Sequence, residues 1–130
     1  MKIAALTARL LLGLIFVVFG LNGFLHFIPG PLPPGLAGQF VNAMMQSHYD
    51  LFVSAAQVVG GALLFVPRFA PLGLVILGPV LANILAFHIF LLPGQSAVAI
   101  VAALLWCVAA LRHLSYFRYL VLCGPATAAR

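Results

Sequence analysis

Four long apolar runs, at residues 10–28, 51–66, 72–92 and 96–111, dominate the chain, and every Lys and Arg falls on one side of the pattern they make. Lys2 and Arg9 precede the first run, Arg68 stands between the second and third, and Arg112, Arg118 and Arg130 follow the fourth. The two opposite connections, residues 29–50 and 93–96, hold neither Lys nor Arg. Cytoplasmic segments of membrane proteins collect Lys and Arg, so the distribution reads as four crossings with both termini in the cytoplasm. The first run alone rises about 28 Å as a helix, against a hydrocarbon core of about 30 Å.

Composition supports the same class. Hydrophobic residues make up 65% of the 130 and charged residues 5%, against about 25% charged in soluble domains. Backbone groups inside lipid must pair internally, which makes the crossings helical. The expectation is an all-α, polytopic membrane protein in one domain, residues 1–130: four transmembrane helices in a bundle. A net charge of +5 is placed at the span ends, where it suits anionic lipid headgroups and not nucleic acid. Lys2 and Arg9 before an apolar run also resemble a secretory signal, but no A-x-A-like site follows, so the run reads as a retained span. Cys107 and Cys123 form no C-x-x-C and read as an apolar filler and an idle thiol, with no metal site.

The connection after the first run begins Pro-Gly-Pro-Leu-Pro-Pro-Gly, which cannot continue a helix. Residues 36–47 then place Leu36, Phe40, Met44 and Met45 on one side and Gln39, Asn42 and Gln46 on the other. That pattern suits a short interfacial helix between helices 1 and 2, lying flat or folded over the bundle mouth with its polar face and His48 over the polar groups below. Gly13, Gly20, Gly60, Gly61, Ala99 and Ala103 mark places for close helix approach.

Polar side chains within spans are costly and mark functional candidates. Asn22 and His26 share a face of the first span, Ser54 and Gln57 continue a stripe from Asp50 in the second, and Asn83 and His88 lie in the third. At about 1.5 Å per residue, all fall in the outer half of the membrane. Asn83 and His88 lie about 140° apart around an ideal helix, and Pro79 one turn earlier can re-aim them. One reading makes these groups interhelical fasteners worth about 0.6 kcal/mol each. The other makes Asn22, His26, Gln57, Asn83 and His88 a ligand-binding set, with Phe16, Phe19, Phe24, Phe27, Phe87 and Phe90 around an apolar body. A quinone fits that set, and a haem held between His26 and His88 fits it less well. The one acidic residue, Asp50, lies at the span boundary, which argues against a proton-coupled transporter.

Residues 8–22 (ARLLLGLIFVVFGLN), 57–64 (QVVGGALL) and 78–88 (GPVLANILAFH), with the proline loop between the first two, resemble the DoxX family of small four-helix bacterial inner-membrane proteins. The resemblance implies residence in the bacterial cytoplasmic membrane. It also implies an accessory role beside other membrane or redox subunits, some relatives being parts of a thiosulfate:quinone oxidoreductase. Many relatives carry Lys where Gly23 stands and Glu where Gln57 stands, so this chain looks like a neutral variant of the same cluster. The expected function is binding of a quinone-like or other lipophilic small molecule, without catalysis by the chain alone. The alternative is a non-catalytic scaffold or assembly factor.

Overall fold

The computed structural model describes residues 1–122, which are helical throughout apart from their connections. Cys123, read above as an idle thiol, and Arg130, read above as one of the cytoplasmic basic residues, lie outside the described residues. The helices are α1 (Lys2–Leu25), α2 (Gly35–Gln46), α3 (Tyr49–Leu63), α4 (Ala70–Phe90), α5 (Ala97–Leu111) and α6 (Leu114–Leu122).

Two of them, α1 and α4, are long and apolar enough to cross a membrane, and α5 with α6 qualifies as a pair bent by 81°. The 15 residues of α3 rise only about 22 Å. Its end tightens through three successive i→i−3 bonds, from the N–H groups of Leu64, Phe65 and Val66, before Pro67 stops the helix. Large apolar side chains cover the outer surface: Leu14, Phe52, Val59, Leu72 and Leu104 are each more than half exposed. An apolar surface of this extent suits lipid and not water.

The first helix differs from expectation at both ends. It begins at Lys2 and stops at Leu25, three residues before the apolar run does. His26 turns into the left-handed region (φ 51°) and donates its N–H to the Asn22 carbonyl at 2.8 Å. The Asn22 side-chain Oδ1 then accepts the Ile28 N–H at 2.7 Å. Pro29 disfavours helical geometry at Ile28 as well, so the run leaves the helix while still apolar.

Glycines set the spacing of the layers. α3 lies antiparallel to α1, with Gly61 against Gly13 and Ser54 against Gly20; a Cβ on Gly61 would meet the Gly13 carbonyl oxygen at 2.9 Å. On the opposite side of α3, a Cβ on Gly73 of α4 would meet the Gly60 carbonyl oxygen at 2.7 Å. The adjacent Gly60 and Gly61 therefore serve different neighbours, and α3 is clamped between α1 and α4. Leu12, Phe16, Leu64, Leu74, Leu77 and Leu81 fill the core, joined by Ala102, Ala109 and Ala110 of α5. Trp106 of α5 donates its indole N–H to the Leu74 carbonyl at 3.0 Å, tying α5 to α4.

Candidate functional site

Above the leucine core the helices diverge around a cavity of about 600 Å³. Its apolar wall comes from Ile15, Phe16 and Phe19 of α1, Leu81, Ile84 and Phe87 of α4, and Val98, Ala99 and Ala102 of α5. The small side chains of α5 leave the space that the larger residues of α1 and α4 frame. Asn22, Ser54, Gln57, His88, Asp50 and Gln95 supply the polar part. The volume falls in the range of small-molecule sites, which combine apolar walls with a few placed polar groups.

Three of the five residues singled out from the sequence meet here: Asn22, Gln57 and His88. His26 does not line the cavity; it caps α1 and is exposed. Asn83 is exposed on the outer side of α4, as the 140° offset from His88 allows. With His26 outside the cavity that His88 lines, a haem held between these two rings has no geometric support. Of the six phenylalanines considered, Phe16, Phe19 and Phe87 line the space, while Phe24, Phe27 and Phe90 are exposed.

The roof differs from the expected one. α2 packs on α3, and Val41 and Met44 line the cavity. Phe40 meets Phe87 of α4 with ring centroids 5.8 Å apart. The apolar side of α2 thus closes the cavity, while Gln39, Asn42, Gln46 and His48 are exposed. Burial of apolar area drives the choice: an amide directed into a largely apolar cavity would lose its water partners.

The hydrogen-bonding capacity left free can be worked out atom by atom. Asn22 spends its carbonyl oxygen on the Ile28 N–H, leaving its NH₂ group as a donor. His88 Nδ1 lies 2.8 Å from the Ile84 carbonyl, which can only accept, so Nδ1 is the donor, and the Nδ1–H tautomer leaves Nε2 as an acceptor. Asp50 Oδ1 is buried without a hydrogen-bond partner among the described residues. Gln57 brings one donor group and one acceptor. The cavity therefore offers amide donors beside carboxyl and imidazole acceptors.

Asp50, Ser54 and Gln57 form one stripe on α3 in the sequence, of which only Gln57 belongs to the expected ligand set. Gln95 falls outside the expected set because it sits in the short α4–α5 connection after Pro93-Gly94; its signal is being polar at the same end of the bundle. Gly23 acquires a specific role: a Cβ there would run into the Ser54 side chain, so any larger residue would push α1 off α3 at the cavity edge. No family model, no curated protein and no solved structure matches the chain.

Proposed function

We propose that the chain is a four-span membrane protein, DoxX-like and resident in the bacterial cytoplasmic membrane, that binds a quinone-like or similar lipophilic molecule in this cavity. Support for the fourth span comes from α3, which is antiparallel to α1 and held against it by backbone contact, so the two share their depth. The basic residues Lys2, Arg9, Arg68, Arg112 and Arg118 belong to the end of the bundle away from the cavity, which supports reading that end as cytoplasmic and the cavity as facing the outer leaflet. A reporter that works only outside the cytoplasm should be silent when fused after Arg130; activity there contradicts the orientation.

The observation that carries the binding reading is the unpaired Asp50 Oδ1 at the wall of a cavity that also holds free donors. A buried polar atom left without a partner costs about 1–3 kcal/mol. The two redox forms of a quinone use different groups: Asn22 and Gln57 donate to the carbonyls of the oxidised form, while Asp50 and His88 Nε2 accept from the hydroxyls of the reduced form, which removes that cost. Its apolar ring and tail lie against Phe16, Phe19 and Phe87. Electron transfer, if the bound molecule takes part in it, is supplied by partner subunits.

The test is titration of the purified protein with a short-chain quinone analogue and its reduced form. Gln57→Ala and His88→Ala should each weaken binding about tenfold or more, the loss of one hydrogen bond of about 1.5 kcal/mol, while the protein stays helical and monodisperse. Unchanged binding in both variants, together with lowered thermal stability, would assign the cluster to a scaffold.

A further inference from the structure

At the other end of the bundle lies a second, half-open cavity of about 450 Å³, lined by Ala5, Leu6 and Arg9 of α1, Pro67, and Arg112, His113 and Tyr116 around the α5–α6 bend. Arg9 is unusual for a basic residue at a membrane-span end. It is only 9% exposed, and its Nε is buried with no hydrogen-bond partner among the described residues. A guanidinium keeps its proton in proteins, so this is a buried, incompletely paired cation.

The chain cannot neutralise it with a side chain. Its single acidic residue is Asp50, which lines the opposite cavity. Arg112 adds a second positive charge, although one of its nitrogens, Nη1, already donates to the Lys2 carbonyl at 3.3 Å. His113, in the bend, lines the same cavity, its ring 6.0 Å from that of Tyr116. Burial and the charges of Arg9 and Arg112 hold the His113 imidazole below its ordinary range. Two guanidinium groups, an imidazole and a phenol therefore converge on a space with no anion of the chain's own side chains.

We propose that this cavity binds a phosphate group through Arg9 and Arg112, with His113 and Tyr116 as further hydrogen-bonding groups. The phosphate belongs to an anionic lipid headgroup or to a free phosphate ester. Guanidinium groups suit this role because their planar donors match phosphate oxygens in pairs. The 81° bend between α5 and α6 creates the site by turning Tyr116 back towards α1. Unlike Arg9, Arg68 at the same end is exposed, with its guanidinium 5.7 Å from the centre of the Phe69 ring, and it does not line the cavity.

The experiment uses the full chain in neutral detergent, with thermal unfolding followed by circular dichroism as phosphatidylglycerol or inorganic phosphate is added. The expected result is a concentration-dependent rise in melting temperature. In Arg9→Gln and Arg112→Gln the apparent affinity should fall about tenfold to a hundredfold, the loss expected for a hydrogen bond to a charged group. Arg68→Gln should match the wild type. A rise with phosphatidylglycerol alone assigns the site to a lipid headgroup, and a rise with inorganic phosphate as well extends it to free phosphate esters. Should Arg9→Gln fail to fold, the exposed Arg112 decides the matter through its own variant. No rise with either probe overturns the proposal, as does an Arg68→Gln variant that loses as much affinity as Arg112→Gln.

Discussion

Substituting the two glycines at the α1–α3 contact gives the sharpest check on how the cavity walls are held. A Cβ on Gly61 would lie 2.9 Å from the Gly13 carbonyl oxygen and 3.0 Å from the Val17 nitrogen; a Cβ on Gly13 would lie 3.0 Å from the Gly61 carbonyl oxygen. These are backbone atoms and cannot swing away. Ordinary contact begins at 3.4 Å, so Gly61→Ala must part the helices by about 0.5 Å (3.4 − 2.9). A gap of that order forfeits about a quarter of the dispersion energy along the seam, and overpacking of this kind costs about 1–3 kcal/mol. Alanine's better helix propensity returns up to about 1 kcal/mol. The net expectation for Gly61→Ala is a loss of about 0.5–2 kcal/mol. Gly13→Ala should cost a similar amount, and the double variant less than the sum, because one displacement relieves both clashes. Gly73→Ala, at the α3–α4 contact, should instead add nearly independently to Gly13→Ala. The assay is reversible unfolding in mixed detergent micelles, followed by circular dichroism. Strict additivity between positions 13 and 61, or stabilisation by either alanine, would refute direct backbone contact between α1 and α3.

Other perturbations report on individual groups. His26→Gly should stabilise the protein by about 1 kcal/mol, since glycine takes the left-handed cap without the steric cost a side chain brings, and it should leave quinone-analogue binding unchanged; weakened binding would place His26 in the site after all. Asp50→Asn should raise thermal stability of the empty protein or leave it alone, yet weaken binding of the reduced analogue more than of the oxidised one; equal loss for both would show that Asp50 does not accept from a ligand hydroxyl. Because the folded protein holds His113 below its free value of 6.5, the unfolded chain binds more protons in that window, so stability should rise with pH up to about 6.5 and then level. Arg9, Arg112 and Tyr116 are the groups facing that ring, and His113→Gln should flatten this part of the pH profile; an unchanged slope would show that another group titrates.

Much of this architecture could be read from the residues, because lipid leaves so few options. Apolar runs and proline breaks located α3, α4 and α5 to within a few residues, and Gly13, Gly20, Gly60 and Gly61 were recognisable as contact points. The helix ends were less legible. Hydropathy continues through Ile28, but the helix ends at Leu25 because the Asn22 side chain and Pro29 act together, a local hydrogen-bond effect that apolar periodicity does not encode. At the site, Asn22, Gln57 and His88 could be anticipated from polarity at matched depth. Asn83 and His26 shared that depth, yet the first faces outward and the second forms a cap. Depth follows from counting along the chain, whereas direction depends on helix rotation, which packing decides. Arg9 shows the same limit: its place at a span end was legible, while its burial beside the bend after α5 was not.

The measurement that bears most directly on ligand binding is the content of the protein as purified. Gentle extraction from the membrane, an absorption spectrum, native mass spectrometry and organic-solvent extraction can all be done on one sample. Binding in the 600 Å³ cavity predicts a stoichiometric quinone-like molecule that is lost in His88→Ala while the folded protein is retained. A protein that carries phospholipid alone, and that takes up no quinone analogue when one is supplied, would contradict it.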